Sequence, residues 1–358
     1  MSVDPIAKSE VSRGDELLEK LEKTVTEIEK VAISTHTEFN NYFLSKDGVN
    51  PDLGSYHNQH HILGTVRSIE PISEAMSEHL ISELDRYNKL YGTDIKLAHL
   101  PSLLKIAAYL HDQGNIFQIS IDDSQLPQYI RLSNSNPDAI ECQLRNDFSL
   151  EIPTYQTIYR AANAEDRGAL LAWKRLKELD LTDEHAMFVQ RMIMNTKFPF
   201  LSQLCEQDGV KGEFPESINK TAPFEIFMKL IDQIGAGWFT ENSFNNLLGL
   251  VQEGAIEKGL DATLPVFFEY SFIEFLDKQF RKILEPLQLG HAALEELVSR
   301  IEDSLANKGG IKGNIQVKRF FESATSIKDQ MTRAKTYGEA IKVVTAIFNH
   351  NAFPEVRA

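Results

Sequence analysis

Three histidines crowd into Tyr56-His57-Asn58-Gln59-His60-His61, and an adjacent pair, His111-Asp112, follows fifty residues later at the end of the apolar run Ala107-Ala108-Tyr109-Leu110. Residues four apart on a helix lie on one face, so His57 and His61 share a face while His60 projects elsewhere. An ionised His-Asp pair at the end of an apolar helix is costly unless it finds partners. A metal ion satisfies both groups at once; a hydrogen-bonded core pair is the plainer alternative. A third acid, Asp232, emerges from PFEIFMKLIDQIGAGWF, flanked by Leu230, Ile231 and Ile234. It could be a further metal contact, a satisfied core carboxylate or a cap. Imidazoles and carboxylates in this mixture either hold a divalent cation or move protons near neutral pH, where histidine titrates.

The elements that must position these residues read as helices. From Asp15, apolar residues at Leu17, Leu18, Leu21, Val25, Ile28, Val31 and Ala32 mark one helix face. Asn50-Pro51 and Gly54 punctuate a loop. A helix over about 59–69 is expected to be interrupted at Pro71, and another runs through 73–91 to Gly92. Pro101 suits the first turn of the helix SLLKIAAYLHD, which Gly114 ends. In 115–138, FQISID could be a short strand and SNSNPD is a turn cluster. Further helical patterns fall at about 139–148, 163–180, 184–196, 223–239, 244–259, 264–284, 289–307, 316–333 and 337–349. Strand signals are scarce and there is no internal repeat, so the expected class is all-α.

The order His…His-Asp…Asp on successive helices resembles the HD-domain superfamily of metal-dependent phosphohydrolases. The form YHNxxH is found in its phosphohydrolase and cyclic-nucleotide phosphodiesterase branches. Asn163-Ala164-Glu165-Asp166-Arg167-Gly168-Ala169 looks like the NExxSA segment of the former branch, and Ile193-Met194-Asn195-Thr196-Lys197 is similar to its IxxTxH segment. The match spans roughly 30–240. It implies an HD-type helical bundle in which His61, His111, Asp112 and Asp232 hold one divalent ion. Two imidazoles and two carboxylates suit Mn²⁺, Fe²⁺, Zn²⁺, Co²⁺ or Mg²⁺. Such an ion acidifies water and neutralises charge on a phosphoryl group. His57 matches the histidine that protonates the leaving oxygen in the phosphodiesterase branch, and with Asp232 it makes up the expected catalytic pair. Asn58 could bond a ligand or phosphate oxygen, and Glu165 and Arg167 could orient the ligands from outside, touch substrate or form an ordinary surface helix pair.

Departures from the family patterns narrow the expectation. Asn115 and Ile116 stand where the HDxxHPG segment of eukaryotic cyclic-nucleotide phosphodiesterases has its second histidine and proline. Gly114-Asn115 lacks the lysine of HD-GYP phosphodiesterases, and Phe198 follows Thr196-Lys197 where the phosphohydrolase branch has histidine. The loss of those groups favours a mononuclear site. Asp122 and Asp123 could contact a metal or belong to a solvated loop, and Phe117, Tyr129 and Arg131 could shape a pocket.

Bulk properties set outer bounds. A net charge of −15 over 358 residues, 42% of them hydrophobic, argues for a globular chain and against one that grips duplex DNA or anionic membrane. Of that charge −13 falls in 1–240, whereas 308–342 is locally +5 and leaves room for a protein or anionic partner. Cys142 and Cys205 carry no CxxC spacing and read as two reduced structural thiols. The first twenty residues show no apolar core of a secretory signal, and no run suits a membrane span, so a cytoplasmic location is expected. Neither a GxSxG elbow nor a phosphate-cradling GxxxxGK[ST] loop occurs. The organisation read from the chain is a disordered N-terminus over 1–13, an HD-type domain over 14–240 and a helical C-terminal extension over 241–358. The expected activity is phosphoester hydrolysis on a small nucleotide or phosphorylated metabolite. The alternatives are a non-catalytic regulatory or host-interaction protein on the same scaffold and a cyclic-nucleotide phosphodiesterase.

Overall fold

The computed structural model describes residues 5–45, 55–119, 128–130, 158, 164–197, 221–239, 249, 253 and 281–310. The fold is all-α, with one small antiparallel pair, β1 (Phe117–Ile119) and β2 (Gln128–Ile130), the former within the FQISID stretch. The principal helices are α1 (Pro5–Leu44), α2 (Gln59–Ala75), α3 (Ser77–Tyr91), α4 (Leu100–Leu110), α5 (Ala164–Glu178), α6 (Asp183–Met194), α7 (Glu225–Lys229), α8 (Ala236–Phe239) and α9 (His291–Asn307). Among the described residues no helix is long and apolar enough to cross a membrane. The expected helices at 139–148, 316–333 and 337–349, most of 264–284, both cysteines, Asp122, Asp123 and Arg131 lie outside the described residues, as do the side chains of Phe117 and Tyr129.

The chain divides into two compact units. The first comprises Met1–His36 and Met76–Lys229. Its α1 starts at Pro5, ahead of the Asp15 start that periodicity suggests, and buries Leu21, Ile28 and Ala32 at helical spacing. Helix α3 ends where Gly92 adopts a left-handed φ of 63° and its N–H bonds Asn88 O. Helices α5 and α6 form a hairpin whose turn places Asp180 at φ 58°, and Thr182 caps α6. Lys20 on α1 pairs with Asp180 at 2.9 Å. The core between them is aromatic: Tyr87, Phe188 and Phe224 meet with centroids 4.8, 5.4 and 6.3 Å apart. Phe224 holds a positive φ of 65° before α7, and buried Glu83 accepts its N–H at 2.6 Å.

The second unit comprises Thr37–Ala75 and Leu230–Ala358. Helix α2 runs through Pro71 instead of breaking there. Ile69, Pro71 and Ile72 are buried, and α9 lays Leu297, Val298, Ile301 and Leu305 inward beside α2. That packing outweighs the roughly 3 kcal/mol that an interior proline costs a helix. Ser304 donates to Pro71 O at 2.9 Å, and Lys308 pairs with both Glu70 and Glu74 at 2.8 Å. On its other side α2 crosses a wide-turned π segment, Leu230–Gly235. Gly235 is needed at the crossing, because a Cβ there would sit 2.2 Å from Ser68 Oγ.

Candidate metal centre

Helix α4 is apolar along its length and delivers His111 and Asp112 on a tight 3₁₀ turn, His111–Gly114. Both side chains are buried. Ala108 O lies 2.7 Å from His111 Nδ1. A carbonyl only accepts, so Nδ1 carries the proton and Nε2 keeps its lone pair. His111 Nε2 is 3.2 Å from Asp112 Oδ2, while Asn115 Nδ2 donates to the other oxygen, Oδ1, at 3.1 Å. The turn is clamped from outside. A Cβ on Gly114 would fall 1.6 Å from Ala164 O, and Arg167 Nε donates to Gly114 O at 2.9 Å.

The first motif initiates α2. Asn58 Oδ1 accepts from the N–H groups of His60 and His61 at 2.8 and 3.2 Å, and its Nδ2 donates to Ser55 O. Asn58 thus caps the helix, which fixes the start of the turn bearing His61. His60 is exposed, as its spacing implied, and His61 is 1% exposed. His61 Nε2 lies 3.4 Å from Asp232 Oδ1, with Asp232 in the π segment. The extra residue per turn there is a local departure of the kind that recurs at functional sites.

His61, His111 and Asp112 each offer one ligand atom, and these atoms lie within 4.8 Å of one another. Two ligands about 2.0–2.4 Å from one octahedral ion stand about 2.8–3.4 Å apart. The His111–Asp112 and His61–Asp232 separations of 3.2 and 3.4 Å fall within that span. The buried His61-His111-Asp112 group could therefore bind a metal ion, and its mixed nitrogen and oxygen donors suit a divalent one. Asp232 lies beside this group, in contact with His61.

His57 has a different environment. Its Nδ1 is 2.7 Å from Glu253 Oε2, its backbone N–H donates to Glu253 Oε1 at 3.1 Å, and Ser55 Oγ donates to the same oxygen. Glu253 is fully buried. A carboxylate that grips both the ring and the backbone fixes the imidazole's tautomer, leaving Nε2 as the atom able to exchange a proton. No motif marks Glu253; it lies 196 residues from His57.

Of the residues expected to lie around the site, Arg167 is 2% exposed, and burial pushes its guanidinium below its usual range. It braces the carbonyl of Gly114, in the turn that carries His111 and Asp112. Glu165 is half-buried in the first turn of α5. Its neighbour Asp166 lies within the Asn163–Ala169 segment and carries no motif signal of its own. It is 1% exposed, and burial pushes its carboxyl up to about 6 against the opposing pull of Lys197, 3.6 Å away. Thr196 Oγ bonds Ile193 O at 2.8 Å, and Asn195 Nδ2 donates to Pro223 O at 2.7 Å, so both close the end of α6. No family profile matches the chain, and no curated protein or solved structure gives a match either.

Proposed function

We propose that this chain is a metal-dependent phosphohydrolase that cleaves a phosphoester of a small nucleotide or phosphorylated metabolite. The observation that carries the reading is the meeting of His61, His111 and Asp112 ligand atoms within 4.8 Å. Asp232 completes the set beside His61. A divalent ion held there would supply an acidified water and a counter-charge for the phosphoryl group. The chain's own groups do the remaining work. His111 presents Nε2 because Ala108 O occupies the proton on Nδ1. Asp112 and Asp232 offset the ion's charge, and Arg167 keeps the turn under His111 in place. His57, steadied by Glu253, transfers a proton from Nε2 to the leaving oxygen, a contribution typically worth about 10²–10⁴-fold.

The His57–Glu253 contact also favours a narrower reading, a phosphodiesterase acting on cyclic nucleotides, whose alkoxide leaving group needs that proton. The test is metal analysis of the purified protein, with hydrolysis of bis-p-nitrophenyl phosphate, p-nitrophenyl phosphate and cyclic AMP. The expected result is a bound divalent metal and turnover of at least one ester, both lost in His111→Ala with Asp112→Ala. Absence of metal uptake from all five candidate ions, with the double variant as stable as wild type, would overturn the reading in favour of a non-catalytic interaction protein.

A further inference from the structure

The two oxygens of Asp112 have been given different tasks. One, Oδ2, sits 3.2 Å from His111 Nε2, on the side where the ligand atoms gather. The other, Oδ1, accepts a hydrogen bond from Asn115 Nδ2 at 3.1 Å. A carboxylate has no proton to give when ionised, so the amide must present its NH₂ group, and an NH₂ group does not ligate a cation. We propose that Asn115 is a positioning residue that restricts Asp112 to one-oxygen ligation and so limits the centre to a single ion. The proposal rests on the metal-centre reading above and adds to it the nuclearity of the site.

The chemistry of paired ions supplies the reason. Two-metal centres hold their ions about 3.5–4 Å apart. A carboxylate that bridges them gives one oxygen to each. Here a second ion would have to displace the Asn115 amide from Oδ1, and it would need donors of its own. Among the described residues the group whose ligand atoms all lie within 4.8 Å of one another consists of His61, His111 and Asp112, and the further acid beside it, Asp232, meets His61 at 3.4 Å. The amide is also held in place by the backbone. Asn115 N–H donates to Asp112 O at 2.9 Å, which folds the chain back over its own turn, and Gly114 is pinned against Ala164 and Arg167. Residue 115 is half-buried, which shields that amide bond in part from competing water.

Stoichiometry measures the proposal directly. Mn²⁺ titration of the full chain, followed by calorimetry and electron paramagnetic resonance, should give one equivalent and the signal of an isolated ion. Asn115→Ala should still take one equivalent, about 10–100-fold more weakly, the usual cost of losing an outer partner. Asn115→Asp should admit a second equivalent at millimolar Mn²⁺, with the broadened spectrum of two coupled ions. Melting in EDTA should match wild type for both variants, which separates ligation from folding. Two equivalents in wild type, or unchanged affinity in Asn115→Ala together with one equivalent in Asn115→Asp, would overturn the role of Asn115 and leave the centre standing. Failure of wild type to bind any Mn²⁺, Fe²⁺, Zn²⁺, Co²⁺ or Mg²⁺ would overturn the centre itself.

Discussion

The first unit holds buried histidines in two settings of opposite chemistry, His99 with His185 and His111 with Asp112. At His99 and His185, Thr182 Oγ lies 2.5 Å from His185 Nδ1, and His185 Nε2 lies 3.1 Å from His99 Nδ1. Hydroxyl, ring and ring form a relay of neutral hydrogen bonds, with His185 three residues into a helix whose cap is Thr182. Burial lowers both histidines' pKa. The neighbouring ring adds to the effect at His185, and Lys96 adds to it at His99, against a smaller opposing pull from Glu184 on both and Asp94 on His99. A cation is also unwelcome at a helix start. At His111 one ring nitrogen is fixed by a carbonyl and the other faces a carboxylate. The lesson is that burial alone does not make a ligand. His185 spends both nitrogens on neutral partners, whereas His111 gives one to a carbonyl and turns the other toward a carboxylate, an arrangement that a metal ion could use.

The largest effect should come from breaking the second cluster. His111→Ala should weaken divalent metal binding by more than about 100-fold, beyond the range seen for outer partners, in a competition titration with a fluorescent chelator. If His185→Ala weakened binding as much, the distinction between the clusters would collapse. Next in size is His57→Ala, which should keep the metal and lower kcat by about 10²–10⁴-fold. Glu253→Gln should lower it less, with a shifted pH profile. A third effect belongs to the relay: His185→Ala should reduce unfolding free energy by about 1–3 kcal/mol in urea at pH 7.5, since it leaves Thr182 and His99 without their shared partner. Because both histidines' pKa values lie below the ordinary 6.5, their contribution is present above pH 6.5 and is lost as pH falls, so the variant should also show a flatter acid limb. The smallest effect has the opposite sign. Asp166 is raised from 3.8 to about 6, so its contribution is present below pH 3.8 and is lost as pH rises through 6. Asp166→Asn should flatten that slope in urea unfolding with EDTA; an unchanged slope would mean that the Lys197 pair, not burial, governs the group.

Local spacing made the helices legible, and the histidine and aspartate motifs pointed to the residues that gather at His61, His111 and Asp112. Alternation at three and four residues marked α3 to α6 within a few positions, Gly92 ended α3 where expected, and His60 and His61 fall on different sides of α2, whereas His57 precedes the helix instead of sharing its face with His61. What escaped depends on residues distant in sequence. Pro71 read as a break because its local cost is visible and the compensating contact with α9, more than two hundred residues on, is not. The π segment around Asp232 is one residue out of step with an α-helix, too small a slip to disturb an apolar run. Asn58 looked like a ligand-binding amide because a cap and a substrate contact need the same side chain. Glu253 had no signal at all: a lone acid becomes meaningful only once folding has set it under His57.

That last contact constrains how the protein can be inherited. A recombination or fusion point near residue 240, where charge and motif content change, would keep every histidine of the centre and discard Glu253 and α9. The product would lack both the carboxylate that holds His57 and the helix that packs on Pro71. The two halves of the sequence must therefore travel together, because that apparent seam cuts through the second compact unit.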